Sequence, residues 1–137
     1  LNLVPSDRGF AMLLPELTTI EVYGVRDRPE LESWDSASLQ WAHAPGSTGE
    51  GTDIDESEVI LLGSFQIERS RMDGPVIFES PELTRWVNQD RTGVLGILLV
   101  SASMPQDHWS RVHAFASSHH VEAAGPSLEV HAQPLQQ

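Results

Sequence analysis

Glu32-Ser33-Trp34-Asp35-Ser36-Ala37-Ser38-Leu39-Gln40-Trp41-Ala42-His43-Ala44-Pro45 sets two tryptophans seven residues apart. The stretch reads as a polar turn around Trp34, followed by a short strand carrying Leu39 and Trp41 on one face. Pro45 ends it, because proline brings no N–H to a strand ladder. One tryptophan anchoring a turn and another filling a core point to a β-sandwich, not to an active site.

Outward from this stretch, short apolar runs alternate with Gly, Pro, Asp and Ser, the pattern of an all-β domain. Thr18 to Val25 is β-branched and aromatic, with Ile20 and Val22 on one side and Glu21 and Tyr23 on the other. Between them and Trp34, the polar run from Arg26 to Glu32 contains Pro29, which argues against a helix. Val59 to Glu68 reads as a strand bent at Gly63, with Phe65 and Ile67 inward. Asp73-Gly74 is the strongest hairpin signal and joins that strand to Val76-Ile77-Phe78, with Pro75 at the start of the return. Further strands are expected at Leu1 to Val4, Phe10 to Leu14, Arg111 to Ser117 and Leu128 to Ala132. Val94 to Val100 is almost continuously apolar, which predicts a central strand. One short helix is expected from Pro81 to Asp90: Ser80 suits the N-cap, Pro81 the first turn and Glu82 the dipole. Leu83, Trp86 and Val87 share one face of it, and Gly93 can close it with positive φ.

The expected fold is a jelly-roll β-sandwich in a single domain over residues 1–132, with 133–137 as a tail or linker. Leu1-Asn2-Leu3-Val4 already alternates like a strand, so the first strands and any targeting signal are expected upstream.

The chain has 137 residues, with 20 acidic residues against 8 basic ones, all arginine, for a net charge of −12. That balance argues against nucleic-acid partners, whose affinity rests largely on neutralised phosphates. Without lysine there is no P-loop lysine and no Schiff-base chemistry; without cysteine there is no thiol catalysis and no cysteine-bound zinc. No apolar run approaches the roughly 18 residues of a membrane span, so no membrane insertion is expected.

Candidate chemistry is sparse. The loop Asp53-Ile54-Asp55-Glu56-Ser57-Glu58 invites calcium, with Asp53, Asp55 and Glu56 as oxygen ligands. It lacks the glycine and the terminal glutamate of an EF-hand, and a solvated acidic loop is the favoured reading. The six histidines show no metal-ligand spacing. No nucleophile elbow or phosphate-cradling glycine turn is present, so no catalytic residues are assigned. A sugar ring packs its C–H face on aromatic surfaces. Trp41 and Trp86 read as core by their apolar positions. The segment Met104-Pro105-Gln106-Asp107-His108-Trp109-Ser110 reads as a loop, which makes Trp109 and His108, with Tyr23, the candidate ligand-binding residues.

Several segments in order resemble the DNRLRE domain group. They are Leu1 to Ser6 with Gly9-Phe10-Ala11, Val22 to Val25, Trp34 to Pro45, Leu62 to Ile67, Asp90-Arg91-Thr92-Gly93, Val112 to Ser117 and Gly125 to Val130. The resemblance is to a version common in large exported bacterial proteins, particularly of planctomycete type. It implies a non-catalytic jelly-roll sandwich, secreted or surface-attached, related to carbohydrate-binding modules beside polysaccharide lyases. It also implies that the chain is the C-terminal portion of such a domain. One departure stands out. After Phe115-Ala116-Ser117 the family carries a basic residue and a glutamate, where this chain has Ser118 and His119. The expected function is therefore a carbohydrate-binding accessory module of an extracellular or cell-surface protein, with polysaccharide or neighbouring domains as partners. The alternative is a structural or adhesive spacer that binds no glycan.

Overall fold

The computed structural model describes residues 1–5, 16–49, 53–102 and 113–133. Its described residues form two antiparallel three-stranded sheets with few helices. In the first sheet β1 (Asn2–Val4) lies between β4 (Gly74–Pro75) and β6 (Ala114–Phe115). In the second, β2 (Leu17–Val25) lies between β3 (Val59–Glu68) and β5 (Ile97–Ser101).

The long pair β2–β3 follows the alternation of its sequence, with one interruption. Val22 faces Gly63 but Tyr23 faces Leu61, so Leu62 is an extra residue in β3. Gly63, expected to bend the strand, takes φ +137°, a value that side chains disfavour. The bulge resets the parity, so Val59 and Ile67, an even number of residues apart, are buried in opposite clusters, and Leu62 is buried as well.

Side chains alternate across this sheet into two separate clusters. Ile20, Ile67, Phe65 and Leu99 meet Leu3, Val76 and Phe115 of the other sheet, so the two sheets share an apolar core. On the opposite face Tyr23, Val25, Val59, Leu98 and Val100 pack on Leu31 and Ile54. Fully burying each such aliphatic side chain is worth about 1.5–3 kcal/mol. Leu98 and Leu99 therefore enter different clusters, which explains why β5 is apolar up to its last residue, Ser101. β5 nevertheless pairs only with β2 among the described residues and is not central. Coverage on both faces, not position in the sheet, removed its polar residues.

The expected helix is present as α2, Pro81–Gln89. The Ser80 hydroxyl accepts the Leu83 N–H at 2.9 Å and donates to the Leu62 carbonyl at 2.6 Å, which ties the cap to β3. A second helix, α1 (Pro29–Glu32), forms in the run where Pro29 argues against one. Proline at the first helical position loses no hydrogen bond, so there it favours the turn.

Other expectations need correction. Asp73-Gly74 does not close a hairpin onto β3: Gly74–Pro75 pairs instead with Leu3 and Asn2 of β1, in the other sheet. Val76 is buried, but Ile77 is largely exposed. The strand expected from Arg111 contracts to Ala114–Phe115 within the described residues. None forms from Leu128 to Ala132, where Leu128 and Val130 stay exposed with no described strand beside them. Trp41 does not lie in a strand: Trp41–His43 is a 3-10 turn, and Trp34, Leu39 and Trp41 are 47, 39 and 36% exposed. The expected strand Phe10 to Leu14 and the tail from Pro134 lie outside the described residues.

Candidate functional site

Where β2 ends, its backbone passes directly beneath the indole of Trp86. A Cβ at Gly24 would stand 2.5 Å from Cε2 of that ring, so only glycine permits the contact. Ile60 and Ile97 pair with Gly24 from the two neighbouring strands and flank the ring. This packing forms one wall of a cleft of about 350 Å³, at the small end of ligand-sized pockets. Trp86, Ile60, Val94 and Leu95 supply apolar surface, while Arg26, Asp27, Arg28, Glu32, Gln89 and Asp90 supply hydrogen-bonding groups.

Three carboxylates of this cleft, on Asp27, Glu32 and Asp90, have oxygens within 4.8 Å of one another. Their positions follow from the turn Asp90-Arg91-Thr92-Gly93. Asp90 accepts the Gly93 N–H at 2.8 Å and the Thr92 N–H at 3.3 Å. The Thr92 hydroxyl lies 2.9 Å from Glu32 Oε1 and 3.2 Å from Asp90 Oδ1, and the Arg91 N–H donates to Asp27 Oδ2 at 3.1 Å. The turn after α2 is thereby braced against the end of β2 and α1. Arg26 and Arg28 border the same space and donate to the carbonyls of Glu56 and Ser57. An aromatic wall beside amide, carboxylate and guanidinium groups can hold a polyhydroxyl ring by stacking and by planar hydrogen bonds.

The residues expected from sequence lie elsewhere. Tyr23 is buried in the cluster with Val25 and Val59, and its hydroxyl donates to Glu21 Oε2 at 2.7 Å. Burial, with Glu21 beside it, pushes its pKa up to about 12. Its ring is core, not a platform. Trp109 and His108 lie outside the described residues.

Asp53, Asp55 and Glu56 do not converge as a ligand set among the described residues. Asp55 Oδ1 accepts the Ser57 N–H at 2.9 Å, and hydrogen bonds from Ser57, side chain then backbone, hold its carboxyl below the usual range. Glu58 accepts the Gly46 N–H at 2.9 Å, and Ile54 bridges to Ser47. These side and main chains organise the loop. His119 follows Ser118 in an exposed turn, where its N–H donates to the Ser117 hydroxyl at 3.3 Å.

The sequence reading missed Asp27, Glu32 and the surface role of Trp86. The available signal was the Asp-x-Thr-Gly turn after the helix, whose side chains needed partners. Nothing local shows that those partners lie some 60 residues earlier. Compared with family models, curated proteins and solved structures, the chain matches none.

Proposed function

We propose that this chain is a carbohydrate-binding accessory module, non-catalytic and carried by a larger extracellular or cell-surface protein, and that its fold is a jelly-roll sandwich of DNRLRE type. The observation that carries the reading is the cleft beside Trp86, where the indole adjoins Asp27, Glu32, Gln89 and Asp90. The ordered resemblance of seven segments to the DNRLRE group supports the same reading. So does the pairing of two small antiparallel sheets over one core.

Glycan-array binding by the wild type, Asp27→Ala, Gln89→Ala and Trp109→Ala tests it. Binding by the wild type that falls at least tenfold in Asp27→Ala or Gln89→Ala is the expected result. Loss in Trp109→Ala alone would move the site to that loop. No binding to any glycan would favour the structural or adhesive spacer.

A further inference from the structure

We propose that Asp73 is a modification site, where the side chain cyclises onto the Gly74 nitrogen whenever β4 parts from β1 and the ring then hydrolyses to isoaspartate. The inference is independent of the carbohydrate reading.

Asp73-Gly74 is the one place in the chain where Asp or Asn precedes glycine. A side chain on the second residue crowds the backbone nitrogen as it attacks the preceding carboxyl, and glycine has none. The local structure adds three conditions. Asp73 is exposed in a bend, and its carboxylate makes no hydrogen bond or ion pair among the described residues. Gly74 holds φ +92°, and a Cβ built there would meet no atom within 4 Å, so that flank of the chain is open. β4 has two residues, lies at the edge of its sheet and pairs with β1 alone among the described residues.

That pairing is the gate. The Val76 N–H donates to the Leu1 carbonyl at 2.7 Å, and the Leu1 nitrogen donates to the Val76 carbonyl at 3.1 Å. In an antiparallel ladder the next such pair lies two residues on, at Leu3 and Gly74, so the Gly74 N–H is engaged while the pairing holds. Pro75 between them donates nothing. A strand this short opens locally at a fraction of the global cost. The Arg71 guanidinium, donating to the Pro75 carbonyl, holds it shut.

Once β4 is open, the Gly74 nitrogen bonds to Asp73 Cγ. The carboxyl C–O bond breaks, and water leaves with the amide proton. Water then adds to the main-chain carbonyl of the five-membered imide and breaks that carbon's bond to nitrogen. The chain now runs through the former side-chain carboxyl, and the former main-chain carbonyl carbon becomes a free carboxylate. Water is the only co-reactant.

The test is warm incubation at neutral pH, read by mass-spectrometric peptide mapping and by methyl transfer from an isoaspartyl methyltransferase. Folded wild type, Asp73→Glu, Arg71→Ala and urea-unfolded wild type are compared. The expected result in folded wild type is isoaspartate at position 73 at least tenfold above that at any other aspartate, through an intermediate lighter by one water. Asp73→Glu is expected to abolish it, because the longer side chain must close a six-membered ring. Arg71→Ala is expected to raise the rate about threefold, and unfolding to raise it further.

Conversion in the unfolded chain with none in the folded protein overturns the proposal, because the pairing then never opens. Equal isoaspartate at Asp35 or another aspartate overturns the special standing of Asp73. An unchanged rate in Arg71→Ala overturns the gate.

Discussion

β2 and the loop from Ser33 to Ala44 look alike in sequence and differ in fate. Both set apolar side chains among polar ones. β2 hides Ile20, Val22, Tyr23 and Val25, whereas the loop leaves Trp34, Leu39 and Trp41 in water. The difference is partnership. β2 has a strand on each side and a cluster on each face, so every alternate residue finds a surface. The loop turns back on itself at Asp35 and in the 3-10 turn, and no described strand pairs with it. Alternation makes a strand only when an edge is free to receive it.

Substitutions separate the two regions. The largest effect belongs to the shared core: Ile67→Ala, at a side chain 1% exposed, is expected to cost about 2–5 kcal/mol in urea unfolding. Gly24→Val drives a side chain into the Trp86 indole and is expected to cost about 1–3 kcal/mol, with the cleft lost as well. A smaller loss would show that Trp86 swings aside. Ser80→Ala removes the cap of α2 and its bond to Leu62, with an expected cost of about 1–2 kcal/mol.

His113, 8% exposed beside β6, sharpens the core side of the comparison through pH. Burial lowers its pKa, and neither ring nitrogen has a hydrogen-bond partner among the described residues, so the folded state favours the neutral ring. The unfolded chain then binds more protons, and stability present above about pH 6.5 falls as the pH drops below it. His113→Phe is expected to flatten that limb in melts from pH 7 to pH 5; an unaltered slope assigns it to the carboxylates. Trp34→Ala should move stability least, by about 1 kcal/mol or less, because its side chain is half exposed.

Sequence made the locally determined parts legible. The alternation of Thr18 to Val25 and Val59 to Glu68 and the Ser80-Pro81-Glu82 cap each act within a few residues, and β2, β3 and α2 lie where those signals place them. Gly74 takes the positive φ that a Gly after Asp favours, yet the chain it redirects pairs with β1, more than 70 residues away. Turn chemistry fixes a bend and leaves the partner open. The cleft was illegible for the same reason. Asp27 and Glu32 acquire meaning only when the turn at Asp90 docks on them, and Trp86 only when Gly24 passes beneath it. Trp41 escapes the core that its size and apolarity suggest because it lies in the 3-10 turn Trp41–His43 and not in a strand, whereas Trp34 sits beside a turn held by Asp35, where its polar neighbours place it.

The central claim is that the sheets carry the stability and that Trp34 lies outside their shared core. Parallel urea unfolding of Ile67→Ala and Trp34→Ala tests it most directly. The account predicts a loss of at least about 2 kcal/mol for the first and about 1 kcal/mol or less for the second. Equal losses, or a larger one at Trp34, would contradict it by placing that indole in the core.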